Sequence, residues 1–116
     1  MKMAHYLEFI NPAVKEEGEN LTVRLGNKWF EKAKMDDLLL IVIPGKKDVL
    51  SICRVTWIAT ISFKDISESM LEYEHDPACR TMDGLRKAMK LAYGEKFQED
   101  SQVTLLFFKK LADVVV

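Results

Sequence analysis

The sequence predicts an α+β fold in which a small, mixed, barrel-like sheet carries flanking helices. Three observations support this prediction. The 116 residues, 48% hydrophobic and 30% charged, are typical of one folded domain with its own core. Strand-like and helix-like segments alternate without a repeat or a linker. Too few strands are separated by crossover helices for a doubly wound parallel sheet. We therefore expect residues 1–116 to form a single domain.

The N-terminal segment predicts a strand and then a short helix. Residues 3–9 are rich in large side chains, as is typical of a strand. Asn11 is a favourable N-cap, and Pro12 suits the first helical position. Because Gly18 is a favourable helix stop, the expected helix has about two turns.

The next segment predicts a strand that places two polar side chains on one face. Residues 21–25 alternate between apolar and polar side chains, which indicates a half-buried strand. Thr22 and Arg24 therefore project from the same face of that strand. Asn27 is a suitable cap for a short helical turn that carries Trp29.

Two further strands are predicted in the middle of the chain. Residues 38–43 are apolar on both faces, which is typical of a central strand. Residues 49–61 are rich in β-branched side chains, and their length predicts a strand that curves or contains a bulge.

The C-terminal half predicts two helices and a closing strand. Residues 65–68 fit a capping box, so we expect a helix that extends to about Tyr73. A second amphipathic helix is expected from near Thr81 to Gly94. Residues 103–108 predict the last strand. The apolar residues 114–116 are expected to fray or to extend an edge strand.

Charge and cysteine content exclude several classes of function. Seventeen Lys and Arg residues face 18 Asp and Glu residues, and this balance disfavours nucleic-acid binding through bulk positive charge without excluding a local basic face. Cys53 and Cys79 form no CxxC motif, so we expect no structural zinc site and two free thiols in a reducing cytoplasm, with one disulfide as the alternative. The longest apolar run is too short to span a bilayer. We expect no cofactor and no membrane partner, and the oligomeric state is left open.

Thr22 and Arg24 are the first candidates for ligand binding. A guanidinium beside a hydroxyl can hold a phosphate or a carboxylate through two hydrogen bonds. The alternative for Arg24 is an ion pair with the acidic cluster at residues 16–19. A threonine hydroxyl acts as a nucleophile only when a base removes its proton, and the alternative for Thr22 is an ordinary hydrogen bond within the sheet.

A basic segment with interleaved aromatic residues is the second candidate. Residues 22–34 contain four cations and one acid, and they include Lys28 and Trp29. Aromatic stacking with cations alongside is a common way to hold single-stranded RNA. The alternative is that Trp29 belongs to the core and that the lysines are solvated.

Glu74 and His75 are candidates for proton transfer. The flanking carboxylates of Glu74 and Asp76 are expected to raise the pKa of His75. Adjacent residues rarely chelate one ion, so no metal site is expected here. The alternative is a solvated loop.

The chain resembles the ASCH domains of the PUA-like superfamily. Thr22-Val23-Arg24 resembles their Thr-x-Arg signature, and residues 34–37 resemble the Gly-Asp turn that precedes an apolar strand, with Asp-Asp in place of Gly-Asp. Residues 85–94, which end in Ala-Tyr-Gly, are similar to the late helix of the family.

The resemblance implies a barrel-like core of five or six strands with a cleft beside the Thr-x-Arg strand. It also implies RNA or modified nucleosides as partners. One branch of the family removes the acyl group from N4-acylated cytidine with a Lys, a Thr and a Glu. Thr22 falls on the threonine, and Glu74 lies in the loop that carries the glutamate. Glu19 and Asn20 stand where the lysine belongs, and Lys15 is displaced from that place.

The sequence therefore predicts an RNA-binding or nucleotide-binding domain with a basic cleft. The alternative is a hydrolase of a modified nucleoside or of RNA, with Thr22 and Glu74 as catalytic residues; whether the chain is an enzyme is left open. The predicted ligand-binding residues are Lys15, Thr22, Arg24, Lys28 and Trp29.

Overall fold

Five strands form one mixed sheet in a computed structural model that describes residues 2–114. The strands are β1 (Ala4–Glu8), β2 (Asn20–Leu25), β3 (Leu38–Val42), β4 (Ser51–Ser62) and β5 (Gln102–Asp113). Their order across the sheet is β1-β3-β4-β5-β2. β1 pairs with β3 in parallel, and every other neighbouring pair is antiparallel. The predicted α+β fold with a mixed sheet is confirmed.

Two α-helices and four short 3₁₀ turns accompany the sheet within the described part of the chain. The helices are α1 (Lys28–Lys32) and α2 (Met82–Tyr93), and the 3₁₀ turns are Phe63–Asp65, Met70–Tyr73, Pro77–Cys79 and Gly94–Lys96. α2 begins where the Thr81 side chain accepts a hydrogen bond from the Gly84 N–H, and it ends at Gly94, whose φ of 58° suits glycine. The predicted bounds of this helix are confirmed.

The sheet curls but does not close into a barrel. The register between β4 and β5 shifts next to Cys53 and again between Val55 and Trp57, which confirms the predicted bulge and bends both strands. β1 and β2 remain the two edges of the sheet, and no strand ladder joins them within residues 2–114. The Arg24 side chain crosses this gap, because its Nη2 donates a hydrogen bond to the Glu8 carbonyl at 2.8 Å.

Apolar side chains pack on both faces of the sheet. Leu105 and Leu106 are neighbours on β5 that point to opposite faces, and each belongs to a separate buried cluster. The first cluster packs against α2 and includes Leu21, Phe63, Leu71, Leu85, Met89 and Phe97. The second packs around β1, β3 and β4 and includes Leu7, Phe9, Leu39, Ile41, Val55 and Phe108.

The helix predicted between Asn11 and Gly18 is wrong. This segment is irregular, because side-chain amides replace the main-chain hydrogen bonds of a helix. The Asn11 Oδ1 accepts a hydrogen bond from the Ala13 N–H at 3.1 Å. The Asn20 side chain binds both main-chain groups of Lys15, accepting from its N–H at 2.9 Å and donating to its carbonyl at 3.4 Å.

The helix predicted from residue 65 to Tyr73 is also wrong. The chain instead forms the 3₁₀ turns Phe63–Asp65 and Met70–Tyr73, which an extended Ile66 separates. The Glu68 carboxylate accepts a hydrogen bond from the Met82 N–H at 3.1 Å. The glutamate of the predicted capping box therefore caps α2 and not a helix of its own.

The turn before β3 anchors the N-terminal strand. The Asp37 carboxylate accepts hydrogen bonds from the Met3 N–H at 3.1 Å and the Lys34 N–H at 2.9 Å, and it lies 2.8 Å from the Nε2 of His5. Asp36 has a φ of 73°, a left-handed conformation that favours glycine. Asp36 thus occupies the place of the glycine in the Gly-Asp turn that this segment resembles.

Three expectations about the cysteines, membranes and the C-terminus have different outcomes. Cys53 and Cys79 are buried, free thiols, as predicted. Within residues 2–114, the helices are too short or too polar to cross a bilayer. The expectation for residues 114–116 concerns Val115 and Val116, which lie outside the described residues, while the Val114 N–H donates a hydrogen bond to the Leu50 carbonyl at 3.0 Å.

Candidate functional site

A cavity of about 160 Å³ lies where the two edges of the sheet approach each other. Its walls come from the end of β1, from β2, from residues 74–79 and from α2. The apolar side chains of Leu85, Ala88, Met89 and Ala92 form the wall on α2. The lining residues that carry chemistry or aromatic surface are Phe9, Thr22, Arg24, Glu74, His75 and Tyr93.

The alternation of side chains along β2 brings Thr22 and Arg24 together, as the sequence predicts. β2 pairs with β5 through Thr22 opposite Leu106 and Arg24 opposite Thr104. The Arg24 Nε donates a hydrogen bond to the Thr22 Oγ1 at 3.3 Å. The guanidinium also lies over the Phe9 ring, 5.3 Å from its centroid. The hydroxyl and the guanidinium therefore form one polar unit on the cavity wall.

The charge of Arg24 is not neutralised by a contacting carboxylate. Within residues 2–114, no carboxylate lies within ion-pair distance of its guanidinium. The alternative of an ion pair with the acidic cluster fails, because Glu16 pairs with Lys110 at 2.6 Å and Glu19 accepts a hydrogen bond from Thr56 at 2.6 Å. Burial lowers the pKa of Arg24, but a guanidinium stays charged in proteins.

Glu74 is a buried carboxyl group in the cavity wall and is not part of a solvated loop. Its backbone forms a β-bridge with Leu21, and the His75 N–H donates to the Leu21 carbonyl at 3.0 Å, so this segment is fixed against the edge of β2. Only 2% of Glu74 is exposed. Burial raises the pKa of Glu74 to about 8, so the carboxyl is mostly protonated at neutral pH. Its Oε2 has no hydrogen-bond partner among the described residues.

The His75 ring is buried beside Glu74. It stacks on Phe9 with 3.8 Å between the ring centroids. Its Nδ1 lies 2.9 Å from the Ala13 carbonyl, and its Nε2 lies 3.3 Å from the Glu74 Oε1. The predicted rise in the pKa of His75 is wrong, because burial outweighs the nearby acids and lowers the pKa to about 4. The ring is therefore neutral at pH 7.

Lys15 does not line the cavity. Its Nζ donates hydrogen bonds to the main-chain carbonyls of Glu72 at 2.9 Å and Glu19 at 3.5 Å. The same ammonium lies over the Tyr73 ring, 5.6 Å from its centroid. Burial lowers the pKa of Lys15. The ammonium thus connects two loop segments. Glu19 stands in the stretch where the family has its lysine, and its carboxylate accepts a hydrogen bond from Thr56.

Lys28 and Trp29 also lie outside the cavity lining. Both belong to α1, and the half-buried Trp29 packs against the core cluster around β1 and β3. Its ring meets the His5 ring edge-on at 6.0 Å, and the Lys32 Nζ lies 4.4 Å from its centroid. The structure therefore brings together Thr22, Arg24 and Glu74 but not the other predicted binding residues.

Most of the lining was not predicted as part of a site, and three of these residues carry a ring or a thiol: Phe9, Cys79 and Tyr93. The Tyr93 hydroxyl accepts a hydrogen bond from the Leu25 N–H at 3.4 Å. The sequence feature that could have indicated Tyr93 is its position at the end of the late helix. Phe9 contributes its ring, which no local pattern indicates. Cys79 lines the cavity, but burial raises the pKa of its thiol to about 12 and makes it unreactive.

The cavity offers hydrogen-bonding groups and one fixed positive charge, the guanidinium of Arg24. No cluster of three or more His, Cys, Asp or Glu side chains among residues 2–114 is arranged to hold a metal ion. An apolar wall on α2 faces a polar wall with a hydroxyl, a guanidinium and a buried carboxyl. Such a site suits an organic ligand with an apolar surface and a few polar groups.

Comparison with solved structures identifies the fold. An ASCH domain from Lactobacillus crispatus matches with a TM-score of 0.63 and 16% identity, over 78% of this chain and 63% of that one. A protein from Enterococcus faecalis, described with the family model DUF984, matches with a TM-score of 0.57 and 18% identity, over 79% and 60%. The hypothetical protein PH0355 matches with a TM-score of 0.62 and 19% identity, over 96% and 100%.

The matched region spans about three-fifths of the length of the first two structures. No family model and no curated protein matches the sequence. At these identities the comparisons concern the fold, and the fold is that of an ASCH domain. The predicted ASCH-type fold, a small mixed sheet with flanking helices, is confirmed.

Proposed function

We propose that this chain binds a nucleotide, alone or within RNA, in the cavity beside β2. The observation that carries the proposal is the Thr22–Arg24 pair, a hydrogen-bonded hydroxyl and guanidinium whose charge no contacting carboxylate neutralises among the described residues. A guanidinium is well suited to phosphate oxygens, because its N–H groups match their geometry. The ASCH-type fold supports the proposal through the association of that family with RNA and modified nucleosides.

The size of the cavity limits which part of the ligand lies inside. Its volume of about 160 Å³ is about half of the ~300 Å³ at which sites for drug-sized ligands begin. We place a base between the apolar wall on α2 and the polar wall on β2. The sugar and phosphate then lie at the opening, within reach of the partly exposed Arg24 side chain.

We expect Arg24→Ala to weaken RNA binding by roughly tenfold or more, because a charge-assisted hydrogen bond to phosphate contributes about 1.5–3 kcal/mol. Lys87→Ala is the matched control, since this lysine lies exposed on α2 and does not line the cavity. Fluorescence anisotropy with a labelled short RNA at low salt measures both variants. Wild-type affinity should fall steeply as salt is added.

Two results would contradict this proposal. The first is the absence of wild-type binding at low salt to short RNAs and to nucleoside monophosphates. The second is a larger loss for Lys87→Ala than for Arg24→Ala, which would move the site to α2. Thermal unfolding of each variant separates a loss of contact from a loss of folded protein.

Hydrolysis of a modified nucleoside is the second candidate function. In its favour, Thr22 and the buried Glu74 line the same cavity. Against it, none of the lysines among residues 2–114 lines the cavity, and the Thr22 hydroxyl has Arg24 and not a base as its partner. Binding is therefore the function that the geometry supports better.

We expect no turnover of N4-acetylcytidine above that of a Thr22→Ala variant, because the side-chain hydrogen-bond partner of the Thr22 hydroxyl among the described residues is a guanidinium and not a base. Ultraviolet absorbance follows the loss of the acyl group. Turnover by the wild type that Thr22→Ala abolishes would establish the hydrolase instead.

A further inference from the structure

We propose that Trp57, Tyr73 and Phe107 form a surface for single-stranded RNA, on which a base stacks against Trp57 while a neighbouring nucleotide of the same strand occupies the cavity. We call these three side chains the aromatic platform. The inference rests on the proposed nucleotide binding and extends it from one nucleotide to a strand.

The platform is a cluster of exposed rings on one face of the sheet. Trp57 on β4 pairs with Phe107 on β5, and their ring centroids lie 5.4 Å apart. The Tyr73 ring lies 6.2 Å from the Phe107 ring. Phe107 is half-buried and packs against the core cluster beside α2, whereas Trp57 is 48% exposed and Tyr73 is 44% exposed. Contiguous apolar surface of this kind is typical of an interaction site.

The Trp57 ring is available for stacking. Within residues 2–114, Phe107 is its single aromatic contact, and no Lys or Arg side chain lies over it. Trp29 differs, because the Lys32 ammonium and the His5 ring already contact it. An exposed indole is a group on which unpaired bases stack.

Two lysines lie beside the platform. The Lys15 ammonium lies over the Tyr73 ring, and main-chain carbonyls hold it in place of a carboxylate. Lys109 is two residues beyond Phe107 on β5 and therefore projects from the same face of the strand. Its Nζ lies 4.0 Å from the Glu19 carboxylate, at the outer limit of an ion pair.

A third cation, Arg80, adds to this charge. Its Nε donates a hydrogen bond to the Glu74 carbonyl at 3.0 Å. Burial, and next the nearby Arg80 guanidinium, lower the pKa of Lys15. Within residues 2–114, no carboxylate lies within ion-pair distance of Lys15 or Arg80. The exposed acids beside the three cations are Glu19 and Glu72.

This charge favours RNA over a second copy of the chain as the occupant. Cations beside aromatic rings match the alternation of phosphates and bases along a single strand. A two-fold contact between copies would place the same cations opposite each other, and their repulsion opposes such a dimer.

The platform is continuous with the cavity. Tyr73 directly precedes Glu74 of the cavity wall, and Phe107 pairs with Leu21, which directly precedes Thr22. Leu21 lies about 10 Å from Arg24 along β2, since a strand rises about 3.4 Å per residue. A strand of RNA with one nucleotide in the cavity therefore carries its neighbours onto the platform, which a mononucleotide leaves uncovered.

Binding of a strand and of a single nucleotide should respond differently to loss of the indole. Fluorescence anisotropy with a labelled RNA hexamer of randomised sequence measures the first, and calorimetric titration with each of the four nucleoside 5′-monophosphates measures the second. We expect Trp57→Ala to weaken hexamer binding by roughly tenfold. Affinity for the monophosphates should change by less than about twofold, because Trp57 does not line the cavity.

Two further variants control for folding and for ring content. Trp57→Phe keeps an aromatic ring and should bind the hexamer within about threefold of the wild type. Tyr6→Ala removes a ring that is 60% exposed on β1 and should leave both affinities unchanged.

Tryptophan emission gives a test that keeps the indole of Trp57 in place. A Trp29→Phe variant has Trp57 as its sole tryptophan, because the chain contains two. We expect saturating hexamer to quench this emission and the monophosphates to leave it unchanged. Emission that does not change at saturation with hexamer overturns the inference.

Equal hexamer binding by the wild type and by Trp57→Ala also overturns the inference. If Arg24→Ala still weakens that binding, the proposed function stands and only the platform fails. If the wild type binds neither the hexamer nor any monophosphate, both fail. A wild type that sediments as a dimer while Trp57→Ala sediments as a monomer overturns the inference as well, because the platform is then an interface between two copies.

Discussion

Gly84→Ala should lower the free energy of unfolding by about 2–3 kcal/mol and the melting temperature by about 10 °C. A Cβ at this position would lie 2.0 Å from the Ala78 carbonyl oxygen, a main-chain atom that cannot rotate away. It would also lie 3.1 Å from the Thr81 Oγ1, which caps α2. In an ordinary helix the same substitution stabilises by about 1 kcal/mol, so the expected sign is reversed.

Urea and thermal unfolding, followed by circular dichroism, measure this effect. Lys87→Ala in the same helix is the control and should change the stability by less than about 0.5 kcal/mol, because its side chain is exposed. A Gly84→Ala variant that melts at or above the wild-type temperature would show that α2 and the Pro77–Cys79 turn are not in contact as described. Since that turn carries part of the cavity wall, we also expect weaker ligand binding by the variant.

Asp37→Ala should destabilise the protein by about 3 kcal/mol at pH 7. The carboxylate of Asp37 is buried and has three partners, the main-chain N–H groups of Met3 and Lys34 and the ring of His5. Each such hydrogen bond contributes about 1 kcal/mol, and the donors left behind have no replacement. Asp36→Asn is the matched control, because Asp36 makes only an exposed ion pair with Arg54, which contributes about 0–1 kcal/mol.

The effect of Asp37→Ala should depend on pH. Burial raises the pKa of Asp37, but the hydrogen bonds from His5, Met3 and Lys34 together outweigh burial, and the net pKa is lowered. A carboxyl whose folded pKa is lowered contributes stability above its unfolded pKa of about 4, and that contribution is lost as the pH falls through the folded value. The stability difference between wild type and variant should therefore be full at pH 7 and shrink below about pH 4. A difference that stays constant down to pH 3 would contradict this account.

The strands were predictable because their signals are local. The alternation at residues 21–25 requires only a period of two, and it suffices to place Thr22 and Arg24 on one face. The two wrongly predicted helices, at residues 11–18 and 65–73, are absent because contacts that no local pattern reveals take their polar groups. The Asn20 amide binds Lys15, and the Glu68 carboxylate binds the main chain of Met82, so distant or irregular partners take the groups that a local helix would use.

The site was predictable only where strand geometry decides it. Residues 74–76 are three polar residues in a row, a pattern that suggests a solvated loop. Glu74 and His75 are nevertheless buried, because they contact Phe9 and the edge of β2, which are far away in the sequence. For Trp29, the sequence indicates an available ring that the structure shows to be in contact with other side chains. Its basic neighbours indicate a stacking surface, but Lys32 and His5 already occupy its ring.

The pairing of β2 with β5 also determines when the cavity wall on β2 can form during synthesis. β2 comes early in the chain, while its ladder partner spans residues 102–113. During synthesis β2 therefore remains an unpaired, aggregation-prone edge until β5 has left the exit tunnel. Thr22 and Arg24 therefore reach their places on the cavity wall only after β5 has paired with β2.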